Sequence, residues 1–247
     1  MFFDAARRAR RRRRWLQEGL EPAQVGKLAH LPFWARLGDS ERSRLSGWAR
    51  VFEESKRWEG RDGLRLTEDI KAVVAAQACR IVLRLLPEGP HVEPYDHVHT
   101  ICLHPSSFRA PETRAWRQGE AWHDGRVVLA WDHAYQGGRQ PDDGHNVVIH
   151  EFAHQLDMAD GEADGFLSLF SPQQRARLRR VLGAEQARLR DDVARGRATV
   201  LDPYGATDPA EFFAVASEHF FETPGPLRAA HPELYAALAG FYRQDPA

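Results

Sequence analysis

His150-Glu151-Phe152-Ala153-His154 spells H-E-x-x-H within an apolar, helix-compatible stretch running from Asn146 to Met158. Two histidines at i and i+4 stand one above the other on a single helix face, so both imidazoles can reach one metal ion. Glu151 lies roughly 100° further round the helix. Its carboxylate falls beside such an ion, where it can take a proton from an attacking water. Gly144 before the stretch and Gly161 after it bound a helix of about four turns. Asn146, His150, His154 and Asp157 share one stripe, while Val148, Phe152 and Leu156 supply apolar surface elsewhere. Flanks this apolar argue against a solvated helix. A buried polar stripe needs something to satisfy it, and a zinc ion would.

A zinc site of this kind takes a third protein ligand and keeps a fourth position open. A metzincin would place a histidine six residues beyond His154, but that position is Asp160, which excludes the class. The other common solution is a glutamate from a later helix. Asp208 to Glu218 reads as that helix, with Asp208 as a natural N-cap and Pro209 at the first helical position. Phe212, Phe213, Val215 and Ala216 make it largely buried, so Glu211 inside it needs a partner, for which zinc is the obvious one. Glu218, two turns further on the same face, is an alternative ligand or a support for one of the histidines. Asp157 is open to the same two readings, or to capping.

His150 to Asp157, together with Tyr204-Gly205-Ala206-Thr207-Asp208-Pro209-Ala210-Glu211-Phe212-Phe213-Ala214-Val215, resembles the Mlc titration factor A (MtfA) family of bacterial zinc-dependent gluzincin peptidases. The likeness extends to Val127–Trp131 and to Gly240–Pro246, and spans roughly residues 30 to 247. More distantly, the two motifs are similar to the catalytic domain of anthrax lethal factor. The resemblance implies one Zn2+ per chain on His150, His154 and Glu211, with Glu151 as catalytic base. It also implies that Tyr204 donates to the oxyanion that develops on a scissile carbonyl. Unlike lethal factor, the chain has Val215 one turn after Glu211, where no carboxylate is available to support the ligands from behind. Aminopeptidase-like hydrolysis of a peptide substrate is implied too. So is an alternative role, sequestering an Mlc-like transcriptional repressor protein. By the same likeness Val127, Val128, Leu129, Ala130 and Trp131 form a sheet-edge strand on which a peptide pairs through its backbone. The residues alone say only that Arg126 to Trp131 is a strand.

The rest of the chain bounds the context. Its 34 Lys and Arg balance 35 Asp and Glu, for a formal charge of −1, which argues against general attraction to nucleic acid or membrane. Cys79 and Cys102, both in apolar segments, read as buried free thiols in a reducing compartment. No apolar leader follows Met1 and no stretch is long enough to span a bilayer, so a cytoplasmic protein is expected. Arg7 to Arg14 holds seven arginines in eight positions and lies outside the resemblance. It reads as a frayed helix or disordered arm, with nucleic-acid binding as a third functional reading.

Residues 1–20 are therefore taken as a basic extension and 21–247 as a single zincin-like catalytic domain with a helical N-terminal part. Leu45, Trp48, Val51 and Phe52 mark one helix face, capped by Asp39 or Ser40. Thr67 opens a long helix that stops near Pro87 and Pro90, Val98 to Leu103 reads as a strand, and residues 172–199 as one or two surface helices. His91, His97, His99 and His104 crowd together without carboxylate or thiol partners at ligand spacing. The fold class is α+β: a zincin-like metallopeptidase fold in which a small mixed sheet is packed with helices that include the H-E-x-x-H helix.

Overall fold

The computed structural model describes residues 2–86, 89, 91–110, 114–158 and 171–247. The helix stops read at Pro87, Pro90 and Gly161 lie outside the described residues. The chain forms two compact units, Met1–Gln140 and Pro141–Ala247.

The first unit opens with α1 (Phe2–Glu18), so the arginine run is helical rather than a disordered arm. One face of α1 is docked: Trp15 is buried, Arg12 pairs with Glu93, and just beyond the helix Leu20 N–H donates to Ser46 Oγ at 2.9 Å. Its exposed face carries Arg7, Arg8, Arg10, Arg11, Arg13 and Arg14. Three helices follow, α2 (Pro22–Leu28), α3 (Pro32–Arg36) and α4 (Asp39–Ser55). Leu45, Trp48, Val51 and Phe52 of α4 are buried together, as their spacing requires. The N-cap of α4 is Gly38, whose N–H donates to Glu41 at 3.2 Å, in place of the expected Asp39 or Ser40. After β1 (Arg57–Gly60) comes α5 (Glu68–Val82), started by Thr67 Oγ1 accepting from Ile70 N–H and buried from Ala72 to Val82.

The strands β2 (Thr100–His104), β3 (Phe108–Arg109), β4 (Trp116–Arg117), β5 (Gly119–Ala121) and β6 (Arg126–Ala130) precede α6 (Trp131–Arg139). Among the described residues, four of the six strands form a mixed sheet in the order β1-β2-β6-β5, with β5 antiparallel to β6 and the other pairs parallel. This corrects the edge role read for Val127 to Trp131. From Arg126 to Ala130, β6 pairs with β2 on one side, and Val127 to Leu129 pair with β5 on the other. Ala130 N–H is used as well, by Gln118 O at 2.7 Å, and Trp131 belongs to α6. The physical reason was present in the sequence: an unbroken Val-Val-Leu-Ala run is buried on both faces, the signature of an interior strand rather than a half-exposed one. Among the described residues, the outer strands of this sheet are β1 and β5.

The second unit contains α7 (Val147–Met158), α8 (Pro172–Ala194), a 3-10 turn (Pro203–Ala206), α9 (Pro209–Glu222), α10 (Pro224–Ala230) and α11 (Pro232–Tyr242). The stretch read as one or two helices is one, α8, started by Ser171 and Gln174 in a capping box. Helix α9 is central and is buried from Phe212 to Glu222. Phe220 and Phe221 lie 5.5 and 4.9 Å from the Tyr242 ring of α11, and Ser217 Oγ meets the Tyr242 hydroxyl at 2.6 Å. This aromatic packing holds α9 as a rigid support for whatever its other side chains reach.

Gly47 tests the docking of α1. A Cβ there would lie 2.7 Å from Leu16 O, a backbone atom that cannot swing aside. Alanine favours a helix over glycine by about 1 kcal/mol, but overpacking costs about 1–3 kcal/mol. Gly47→Ala should therefore lower the melting temperature and expose the arginines of α1 to trypsin. Gly26→Ala, with open space around its Cβ, should do neither. Equal trypsin resistance of the two variants would contradict the docking.

Candidate metal centre

The metal-site motif is carried by α7, whose start is fixed by a residue just outside it. Asn146 is buried, and its Oδ1 accepts from Val148 and Ile149 N–H at 3.1 Å each, capping the helix. Val148, Ile149, Phe152, Ala153 and Leu156 are buried, so α7 is held on its apolar sides while His150 and His154 project from the remaining one. Helix α9 is started by Asp208, whose Oδ1 accepts from Ala210 and Glu211 N–H at 2.9 and 3.0 Å. Pro209 occupies its first turn, as the sequence indicates.

Packing of α7 on α9 brings together His150, His154 and Glu211. His150 Nε2 lies 3.0 Å from Glu211 Oε2 and 3.2 Å from His154 Nε2, and the His154–Glu211 distance closes the triangle at 3.4 Å. In a tetrahedral zinc site with bonds of about 2.0–2.1 Å, ligand atoms stand about 3.4 Å apart. The observed edges of 3.0, 3.2 and 3.4 Å come close to that size, the first two slightly short of it. The chemistry of the set fits as well. Two imidazole nitrogens and one carboxylate oxygen are the donor types that a catalytic zinc takes, with a fourth position left open. Burial lowers the pKa of His150, but its bonds to Glu211 and Glu218 raise it to about 11 overall. Burial raises the pKa of Glu211, yet its bonds to His150 and His154 bring it well below the usual carboxylate range. Both shifts have the same cause, the hydrogen bonds that join the imidazoles to the carboxylates. Among the described residues this is the single His, Cys, Asp and Glu grouping with that capacity.

Glu151 is 6% exposed, and burial lifts its pKa to about 7 against the opposing pull of His150 and His154. A carboxyl group poised near neutrality can both take and return a proton. Tyr204, in the 3-10 turn, is half-exposed and donates its hydroxyl to Glu211 Oε1 at 3.1 Å, with its ring 6.2 Å from that of His150. Gln186 and Arg190 of α8 hold this turn through the carbonyls of Gly205, Ala206 and Thr207. A Cβ on Gly205 would lie 3.4 Å from Val215, so the position one turn after Glu211 is occupied by a small apolar floor for the turn.

The structure thus gathers Glu151, His150, His154, Glu211 and Tyr204, the last four in direct contact. Asp157 is exposed and stands outside the ligand grouping. Val127 to Ala130 and Trp131 belong to the first unit, where β6 is interior. His99 and His104 bond to Thr100 and Asp62 and make no second ligand group among the described residues. Residues that the sequence reading passed over are Glu222 and His219, and it placed Asn146 on the polar stripe without seeing that it caps α7. Their signal was there in part: α9 is nearly all apolar, yet it carries Glu218, His219 and Glu222 among its phenylalanines. Buried polar groups in such a helix must have partners.

An α+β chain with this motif helix is a metallopeptidase. The chain belongs to the glucose-regulated metallo-peptidase M90 family, whose model matches residues 6–243. The arginine run therefore lies within the family match, contrary to the narrower likeness read from the motifs. An uncharacterized protein from Synechocystis sp. is 36% identical over 228 residues, covering 87% of this chain and 81% of that protein. Mlc titration factor A of Klebsiella pneumoniae is 32% identical over 229 residues, covering 87% and 84%. That of Cronobacter sakazakii is 30% identical over the same length and shares.

His219 yields a pH test. Its Nε2 accepts from Asp202 N–H at 3.3 Å, and its Nδ1 bonds to Thr223 Oγ1 at 2.8 Å. Burial, then the charge of His145, lowers its pKa to about 4, with Asp202 and Asp143 opposing and His231 adding to the decrease. A depressed folded-state pKa gives stability that is complete above about pH 6.5 and is lost as pH falls toward 4, at up to about 1.4 kcal/mol per pH unit. His219→Gln keeps an acceptor but does not titrate. Thermal melts between pH 4 and 7 should show a shallower acid slope for the variant, and identical slopes would contradict the reading.

Proposed function

We propose that the chain is a zinc-dependent peptidase of the gluzincin type with one zinc ion per chain, held by His150, His154 and Glu211, and acting as an aminopeptidase. The observation that carries this reading is the convergence of two imidazole nitrogens and a carboxylate oxygen at 3.0–3.4 Å beside a buried glutamate poised near neutrality. When bound, zinc supplies Lewis acidity and makes an adjacent water acidic near pH 7. Glu151 takes the proton of the attacking water and delivers it to the departing amine. The Tyr204 hydroxyl, which already reaches Glu211, turns to the carbonyl oxygen as charge develops there. The two free, buried cysteines support a cytoplasmic location.

A second reading comes from the names of the relatives. Proteins called Mlc titration factor A are 30% and 32% identical to this chain over 229 residues. As the alternative we infer a partner, a transcriptional repressor protein bound and sequestered by the chain, with peptide hydrolysis then secondary. Intact ligands and base favour catalysis, since a purely sequestering protein has no use for Glu151.

Zinc content and hydrolysis of a panel of amino-acid anilides, measured together, test the proposal. Wild type should hold one zinc per chain and cleave. Glu151→Ala should keep the metal and lose at least about 100-fold in kcat, the low end for removing a general base. Tyr204→Phe should keep the metal and lose about 10²-fold in kcat with KM little changed. Zinc binding without cleavage by wild type would move the repressor-binding reading to first place, and a chain that binds no zinc would overturn the site.

A further inference from the structure

Glu218 uses both of its carboxylate oxygens, and the two bonds lead to different parts of the metal-site helix. Oε2 lies 2.8 Å from His150 Nδ1, and Oε1 accepts from Asn146 N–H, also at 2.8 Å. The side chain is 6% exposed. Its contact is to the ring nitrogen that faces away from His154 and Glu211, so Glu218 is no ligand of the same centre. We infer that Glu218 is the positioning carboxylate of the metal centre, coupling the aim of His150 to the capped start of α7. The inference rests on the metal reading above.

Three features support it. First, the carboxylate selects the tautomer. With Nδ1–H donated to Glu218, the His150 lone pair sits on Nε2, the nitrogen 3.0 Å from Glu211 and 3.2 Å from His154. Second, α9 grips one ring at both nitrogens, because Glu211 and Glu218 are seven residues apart on the same helix. That separation is two turns, about 10 Å along the axis, so both side chains leave the same face and converge on His150 from either side. Third, Asn146 ties ring and helix together. Its backbone N–H is held by Glu218, its Oδ1 caps α7, and its Nδ2 donates to Glu222 Oε1 at 3.4 Å. A shift of the cap therefore moves the imidazole with it. Val215 occupies the position one turn after Glu211 and carries no carboxylate, and the support comes from Glu218, one turn further along.

The test compares Glu218→Gln, Glu218→Ala and Glu222→Gln with wild type by zinc dissociation constant, measured against a competing chelator. The visible spectrum of the cobalt-substituted protein is recorded alongside, and neither readout requires catalysis. Loss of a partner behind a ligating histidine typically weakens metal binding 10–100-fold. Glu218→Gln keeps an acceptor for Nδ1–H and should fall near the lower limit, and Glu218→Ala near the upper. Glu222→Gln, which touches the same asparagine but not His150, should stay within about twofold of wild type, since it leaves that partner in place. The cobalt spectrum should change for Glu218→Gln and not for Glu222→Gln. Thermal melting confirms that the glutamine variants are folded, so the test stands even if Glu218→Ala is not. Equal zinc affinity in Glu218→Gln and Glu222→Gln, with unchanged spectra, would overturn the inference while leaving the metal centre intact. Failure of wild type to bind zinc or cobalt would overturn the metal centre itself, and this inference with it.

Discussion

Two imidazole nitrogens and a carboxylate oxygen converge at 3.0–3.4 Å where α7 meets α9, the donor set and spacing that a single zinc ion would satisfy. That constraint organises the second unit. It requires α7 and α9 to face each other with polar stripes in contact, and it requires apolar packing strong enough to keep those stripes together. The Phe220, Phe221 and Tyr242 cluster behind α9, and Val148, Phe152 and Leu156 on α7, provide that packing. The site is rigid because the core beneath it is dense, and it is charged because the core cannot neutralise it.

One helix supplies several distinct services. From its first turn to its last, α9 presents Glu211 to the histidines, Val215 as a floor for the Tyr204 turn, Glu218 to His150 and Asn146, His219 to Asp202, and Glu222 to Asn146. Asp202 in turn caps Tyr204 N–H at 2.7 Å. The tyrosine and the metal-site histidines therefore refer their positions to the same rigid element, which is how a site drawn from three separated segments can keep its geometry.

Much of this was legible in the sequence, for identifiable reasons. The i, i+4 histidines, the Asp208-Pro209 helix start and the Thr67 start are local signals, and each needs only neighbouring residues to be read. The mixed sheet and the α+β class followed from patterns of similar range. What escaped depended on partners far along the chain. Whether Val127 to Ala130 lies inside the sheet or at its edge is decided by Gly119 to Ala121, a three-residue strand too short to announce itself. Whether the arginine run frays or docks is decided by the space that Gly47 leaves for Leu16 and by Glu93, far along the chain. Spacing placed Glu218 on the correct face but could not say which nitrogen of which histidine it meets; that depended on how α9 packs against α7.

The central claim is that one metal ion joins α7 to α9. Anomalous diffraction at the zinc absorption edge, from crystals of the zinc-loaded chain, tests it most directly. The account predicts a single strong peak about 2.0–2.2 Å from His150 Nε2, His154 Nε2 and a Glu211 carboxylate oxygen. A peak bound elsewhere, or none between these three residues, would contradict it.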